Sequence, residues 1–413
     1  MANTHLPYRA RPVQVTSTFN RETIAMIITA DTVVTGQEVL RPGWIEIAGD
    51  RVVAVGGGSP KGSQPSNDAD RVALGAVTVV PGFVDMHSHG GGGGSFGEGT
   101  AQSCATAVGL HRRHGTTTMI ASLVSELPDE LLRQVRVLTE QVQDGLLAGI
   151  HLEGPWLSPR RKGAHEPSAL RSPDPDEIAE VFAAAQGTIR MVTIAPELDG
   201  ALDAIRQMVD LGAVAAVGHT DASYPQARQA ISAGARVATH LFNAMRPVHH
   251  REPGPVVALL EDPRVLVEMI TDGVHLHPAL YRDVFSRVGP DRVSLVTDAM
   301  AAAGMADGAY RLGTLAVDVV DGVARLTGTD TIAGSTATMD RVFRFAVQHS
   351  ELDLDDALLL AVRQSSINPA GALGLQPAGL YAGGPADLVV LDSELAVTGV
   401  LSRGEWVPDP AGR

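Results

Sequence analysis

Apolar positions along this chain follow two rhythms. Near its ends they come in short extended runs: AMIITA, TVVTG, WIEIAG and RVVAVGG between residues 25 and 57, and further runs within GLYAGGPADLVVLDSELAVTGVLSRGEWV at 379–407. Asp, Gly, Pro and Ser break these runs, which predicts antiparallel strands and tight turns. Between the ends, β-branched or apolar runs at 77–89, 117–122, 148–154, 189–197, 214–220, 237–243, 265–273 and 293–299 predict eight strands. Segments of helical period occupy 129–146, 176–185, 201–212, 224–234 and 354–365. Repeated strand–helix units predict a parallel sheet, and eight of them in so short a span favour a closed (β/α)8 barrel over an open sheet. Residues 309–328 read as an inserted hairpin with an Asp-Gly turn. Residues 1–23 read as a flexible polar extension, and 59–70 as an exposed loop.

Composition narrows the function. Of 413 residues, 44% are hydrophobic and 19% charged, enough apolar surface for a large core. The 32 Lys and Arg against 47 Asp and Glu leave a net charge of −15. That balance argues against a nucleic-acid binder or a polybasic membrane-surface protein, so an anionic ligand needs a local basic cluster. Cys104 is the single cysteine, which rules out an intrachain disulfide and a cysteine metal cluster. The first thirty residues lack a signal-type apolar core, and no run is long enough to span a membrane. The expectation is a soluble cytoplasmic protein.

The reactive residues cluster at one place in this pattern. His87, His89, Glu153, His219, His240, Asp272 and Asp298 fall at or just beyond the C-terminal ends of expected strands, with His275 close by. Barrel enzymes build their chemistry on that face. His87 and His89 are two apart on an extended segment, so both side chains point the same way, a spacing that suits two imidazoles on one ion. Five glycines at 90–94 follow and permit close backbone approach. Each histidine alone reads as an ordinary core or surface residue. Four of them with Glu153 at strand ends read as a divalent-metal site, and a bound ion makes water acidic enough to attack at neutral pH. Asp298 is the candidate acid–base group and His275 a candidate carbonyl polariser. The chain shows no GxSxG, Walker or dinucleotide fingerprint. Arg160, Arg161 and Lys162 form a basic triplet near His165, read either as a solvated loop tip or as a flap closing over the site. His249 and His250, beside Arg251, are equally open between phosphate contact and exposure, and Trp156 reads as a packing anchor.

In order along the chain, PGFVDMHSHG, HLEGPW with KGAH, VGHTDASYPQA, ATHLFNAM, REPG, TDGVH, VTDAM and AGSTATM resemble the N-acetylglucosamine-6-phosphate deacetylases of the amidohydrolase superfamily, over residues 26 to 405. The resemblance implies a (β/α)8 barrel at 81–375 and a discontinuous β-sandwich from 24–80 and 376–413. It also implies hydrolysis of the acetamide of N-acetylglucosamine 6-phosphate. By motif, Glu153, His219 and His240 correspond to ligands of a principal metal. Asp298 corresponds to the general base and His275 to a group that polarises the carbonyl. Asn243, the Ala244 backbone and Arg251 resemble binders of the sugar phosphate, and the equivalent Arg can come from a neighbouring subunit, which implies a homodimer. Some members lack the first His of HxH and use one ion. This chain keeps both, so it resembles members holding two, with Glu153 bridging and Asp298 at the second. The superfamily's bridging carboxylated lysine is absent. Zn, Fe, Mn and Co all suit such ligands.

Rival readings are a deacetylase of N-acetylgalactosamine 6-phosphate, an amidohydrolase for other N-acyl or cyclic amides, and a non-catalytic relative kept for assembly. The last would be expected to lose ligands, and none of those proposed is missing here.

Overall fold

Eight parallel strands pair in sequence order around a barrel: β1 (Phe83–Asp85), β2 (Thr116–Leu123), β3 (Gly149–Glu153), β4 (Ile189–Ile194), β5 (Val214–Val217), β6 (Val237–Ala238), β7 (Leu266–Met269) and β8 (Val293–Leu295). The computed structural model describes residues 26–60 and 71–408. The expected extension at 1–23 and most of the 59–70 loop lie outside the described residues. Each expected barrel strand is present, and the candidate metal ligands lie at or just past the C-terminal ends of five of them: the first, third, fifth, sixth and eighth. Helices Pro128–Gln143, Pro175–Ala185, Ala201–Asp210, Tyr224–Ala233 and Leu354–Val362 answer the helical periods. Helices Ala101–Arg113, Gly254–Glu261, Pro278–Val288 and Met339–His349 complete the outer layer.

Side chains fill the barrel: Met86, Ile120, Met191, Ala216, Val237, Ile270 and Val296 form its internal apolar layer. A larger cluster, including Ile150, Leu152, Val192, Val267 and Leu295, packs the strands against the helices. Trp156 is fully buried in that cluster, as a packing anchor should be.

The first and last barrel strands meet mainly beyond their ends. Ser88 bridges Ala299, Asp298 N–H donates to the His87 carbonyl at 2.9 Å, and His89 N–H donates to the Ala299 carbonyl at 2.7 Å. Below this seam the Thr297 hydroxyl donates to Asp85 at 2.6 Å. Burial pushes the Asp85 carboxyl up to about 6, while hydrogen bonds from Thr297 and the His87 backbone pull it down. The closing seam is thus the backbone that carries His87, His89 and Asp298.

The expected first strand at 77–89 divides into two elements. Arg71–Pro81 belongs to a separate eight-stranded sheet, and only Phe83–Asp85 enters the barrel. Gly82 makes the passage: its N–H donates to the Asp387 carbonyl at 3.0 Å, and a Cβ there would lie 2.2 Å from Thr117 Oγ1. The separate sheet is the small β domain drawn from both chain ends, with Leu388–Leu391 antiparallel to Thr78–Pro81. Ile28, Val33, Ile45, Ile47, Val79, Leu388 and Leu401 form its core.

The insertion after β8 is a three-stranded meander, Gly308–Leu312, Leu315–Val320 and Val323–Leu326, one strand more than the expected hairpin. Its Asp321–Gly322 turn has φ of 52° and 72°, the double left-handed geometry of a tight hairpin. Leu312, Val317, Val319 and Ala324 pack on Val124, Ala164 and Met300, which sets the meander as a roof beside the barrel mouth. Among the described residues, no helix is long and apolar enough to cross a membrane.

Candidate active site

Glu153, the last residue of β3, stands among imidazoles from four other segments. Its Oε1 lies 3.0 Å from His219 Nε2, 2.9 Å from His240 Nε2 and 3.5 Å from His87 Nε2. Its Oε2 lies 3.1 Å from His89 Nε2 and 3.4 Å from His165 Nε2. Asp298 Oδ1 completes the cluster at 3.2 Å from His89 and 3.5 Å from His87. All of these side chains are buried. Two groups of ligand atoms are close enough to hold an ion: His87, His89 and Asp298, and Glu153, His165 and His219.

Local backbone turns three of these residues inward. His219, His240 and Asp298 have φ of 46°, 28° and 48°, in a region that L residues seldom adopt and that recurs at functional sites. Tight packing supports this geometry at Asp298. Ser335 N–H donates to the Asp298 carbonyl at 2.7 Å, and a Cβ on Gly334 would come within 2.9 Å of that oxygen. A glycine in the AGST segment is therefore required for this contact.

The outer hydrogen bonds show which ring nitrogens face inward. His87 Nδ1 lies 3.1 Å from Glu268 Oε2, His89 Nδ1 3.1 Å from the Ser122 carbonyl, and His219 Nδ1 2.9 Å from the Arg161 carbonyl. These partners only accept, so each Nδ1 carries the hydrogen and each Nε2 turns a lone pair to the centre. Lone pairs then face one another at 3.3 Å between His87 and His89, and the lone pair of His219 faces His240 Nε2 at 3.1 Å. Only a cation between such pairs makes them favourable, and this nitrogen and carboxylate set suits a divalent metal.

Electrostatics agrees. Burial opposes charge on His87, yet Glu153, Asp298 and Glu268 raise its pKa well above the ordinary value. For His89, hydrogen bonds to Asp298 and Glu153 overcome burial and raise the pKa to about 9. Burial acts to raise Glu153, but the surrounding imidazoles hold it far below the usual carboxylate range, and His87 and His89 do the same for Asp298. The pocket favours positive charge at its centre.

His165 is wired in the opposite sense. The Ser125 backbone N–H donates to its Nδ1 at 3.1 Å, so Nε2 bears the hydrogen and points at Glu153. In this tautomer His165 is an N–H donor and not a ligand. Burial, with His219 beside it, lowers its pKa to about 4, which keeps it neutral. It lies beneath the loop expected to form a flap. That loop is tied down where Arg161 Nη2 meets Asp221 at 2.8 Å and where the Arg161 carbonyl takes the His219 N–H. Lys162 makes only a 3.4 Å contact to the Gly163 carbonyl.

The cluster opens into a cavity of about 310 Å³. Asn243, Ala244 and His275 line one part of it, and Leu312, Asp330, Thr331 and Ile332 from the roof line another. His275 Nδ1 pairs with Asp272 Oδ2 at 2.7 Å, and Asp272 Oδ1 accepts the N–H groups of Val274 and His275. Arg251 is exposed, stands outside the cavity lining and contacts His250 Nε2 at 2.8 Å; His249 and His250 are exposed beside it.

Two supporting residues escaped the sequence reading. Glu268 is fully buried, holding His87 Nδ1 and, at 3.1 Å, the His240 backbone N–H. A lone charge inside the apolar run VLVEMI was the available signal. His151, two residues before Glu153 on the same strand, is instead a satisfied core histidine between Ser122 Oγ at 2.9 Å and Thr193 Oγ1 at 2.8 Å.

A closed barrel whose mouth gathers histidines and carboxylates around a cation position defines a metal-dependent hydrolase, and residues 78–407 match the amidohydrolase family. The N-acetylglucosamine-6-phosphate deacetylase of Vibrio furnissii is 35% identical over 83% of this chain and 86% of its own. The N-acetylgalactosamine-6-phosphate deacetylase of Escherichia coli O157:H7 is 34% identical over 80% and 88%. The structure of Mycobacterium smegmatis N-acetyl-D-glucosamine-6-phosphate deacetylase, a point mutant in complex with N-acetyl-D-glucosamine-6-phosphate, is 65% identical, with a TM-score of 0.90 over 93% of this chain and 99% of that one. The chain belongs to the amidohydrolase family, and within it to the N-acetylglucosamine-6-phosphate deacetylases.

Glu268→Gln replaces a charged outer partner of His87 by a neutral one of the same shape. It is expected to weaken divalent-metal retention by about tenfold, the usual scale when a side chain that orients a ligating histidine is changed. Metal-to-protein ratios after dialysis against graded chelator measure this, and unchanged retention would detach Glu268 from the metal centre.

Proposed function

We propose that this chain hydrolyses the acetamide of N-acetyl-D-glucosamine 6-phosphate to D-glucosamine 6-phosphate and acetate. The observation that carries the reading is the convergence of His87, His89, His219 and His240 on Glu153, with Asp298 beside them, in one buried cluster fit for a divalent metal. Close likeness to a deacetylase crystallised with this sugar phosphate supports the choice of substrate.

Glu153, His219 and His240 would hold a principal ion, and His87, His89 and Asp298 would offer ligands for a second. Zn, Fe, Mn and Co all suit these ligands. A bound ion supplies Lewis acidity and a nucleophile at neutral pH. Asp298 takes the proton from the attacking water and returns it to the amine as the C–N bond breaks. Its firmly ionised carboxylate is the form needed to accept. His275, oriented by Asp272, polarises the acetamide carbonyl, and His165 Nε2–H is a second donor on the same wall. Asn243 and the Ala244 backbone bind the phosphosugar. Arg251, outside its own cavity, reaches the phosphate of a partner subunit's substrate in a homodimer. Lys162 and Arg161 border the entrance as a basic flap. Such a phosphorylated sugar is confined to the cytoplasm, where the reaction serves amino-sugar salvage.

The deciding experiment is acetate release from N-acetylglucosamine 6-phosphate, N-acetylgalactosamine 6-phosphate and unphosphorylated N-acetylglucosamine, before and after chelation and metal restoration. Preference for the first, lost on chelation and regained with metal, is the expected result. Preference for the galacto epimer would move the chain beside the 34% identical Escherichia coli relative, and no release from metal-loaded protein would send the search to other amides. Asp298→Asn should lower kcat by about 10²–10⁴-fold, the range for a lost acid–base group, with substrate still bound. Near-normal turnover would remove Asp298 from proton transfer. Arg251→Ala should raise KM for the phosphorylated substrate by about tenfold or more, the scale of one charge-assisted contact, and leave the unphosphorylated sugar unaffected. Equal losses on both would make Arg251 structural.

A further inference from the structure

A second concentration of charge lies at the opposite end of the barrel. Helix Ala101–Arg113 leads into the start of β2, so its last turn sits on the face away from the mouth. There Arg112 and Arg113 line a groove of about 510 Å³ with Arg403, Glu405 and Trp406. Three guanidiniums against one carboxylate form a positive site on a chain of net charge −15.

The arrangement compensates this charge only in part. Among the described residues, Arg112 Nε is sealed from solvent without a hydrogen-bond partner. Burial and the Arg403 charge both press against a proton on Arg112, and only Asp387 counters them. That carboxylate already accepts the Arg403 backbone N–H at 2.6 Å. Arginine stays charged regardless, so the crowding persists as repulsion that an anion would relieve. Favourable cations at a helix C-terminus explain Arg112 and Arg113. They do not explain Arg403, which comes from a hairpin turn with φ of 52°, where Asn, Asp or Gly is the undemanding choice. Its Nη2 donates to the Gly145 carbonyl at 2.8 Å, which fixes the side chain.

We propose that this groove is a second, anion-binding site that takes inorganic phosphate or a phosphomonoester, gripped by Arg112, Arg113 and Arg403, with the Trp406 indole as a flat wall for the ligand's organic part. The site is separate from the barrel mouth and does not depend on which amide is hydrolysed there.

Calorimetric titration of the metal-loaded full chain with inorganic phosphate tests it. Wild type should show a binding event that survives Arg251→Ala. The Arg112→Gln/Arg403→Gln variant should weaken that event by about tenfold or more, as expected for lost charge-assisted contacts, while its thermal midpoint in phosphate-free buffer stays unchanged. Should that variant not fold, exposed Arg113→Gln alone carries the test with the same expected direction. Titrations identical in wild type and the groove variants would overturn the assignment, as would a single event abolished by Arg251→Ala.

Discussion

Glu153 is a carboxylate in a buried pocket, and the rest of the site follows from that placement. An ionised acid in such a place is sustained only by positive charge within a few ångströms. The protein provides five imidazoles from four segments, oriented so that most present lone pairs and not hydrogens. The balance therefore requires a cation. Without one, the same groups turn to protons, which is why His87 and His89 are driven towards the charged form. His165 is the informative exception. One backbone N–H from Ser125 reverses its tautomer and changes it from a ligand in appearance to a donor in function.

Closure of the barrel and assembly of the site are one event. β1 and β8 are three residues each, and their joining contacts lie on His87, Ser88, His89, Asp298 and Ala299. Backbone that must satisfy its hydrogen bonds there cannot also wander, so the ligands inherit the rigidity of the seam. Left-handed φ at His219, His240 and Asp298 is tolerated because adjacent packing over-determines it, as the Gly334–Ser335 contact on Asp298 illustrates.

Much of this was legible in the chain. Strand ends marked by HxH, HLEG, VGHT, ATH and VTDA located the ligands, because a polar residue ending an apolar strand has few ordinary reasons to be there. Glu268 was harder to find: it sits inside its strand and acts through His87, so no terminal position advertised it. The first strand was read as one run because Gly82 interrupts neither its apolar pattern nor its extended backbone. Only its close approach to Thr117 reveals the change of sheet.

The sequence by itself determined the eight-unit barrel, the β-rich ends and the kinds of ligand, since periodicity and residue chemistry are local properties that survive without coordinates. Tertiary structure alone decided which nitrogen of each histidine faces inward, that His165 donates while His219 accepts, and that Arg251 stands outside its own cavity while Arg403 joins Arg112. Those facts depend on partners far apart in the chain, and a ring's tautomer is set by the group that happens to meet its other nitrogen.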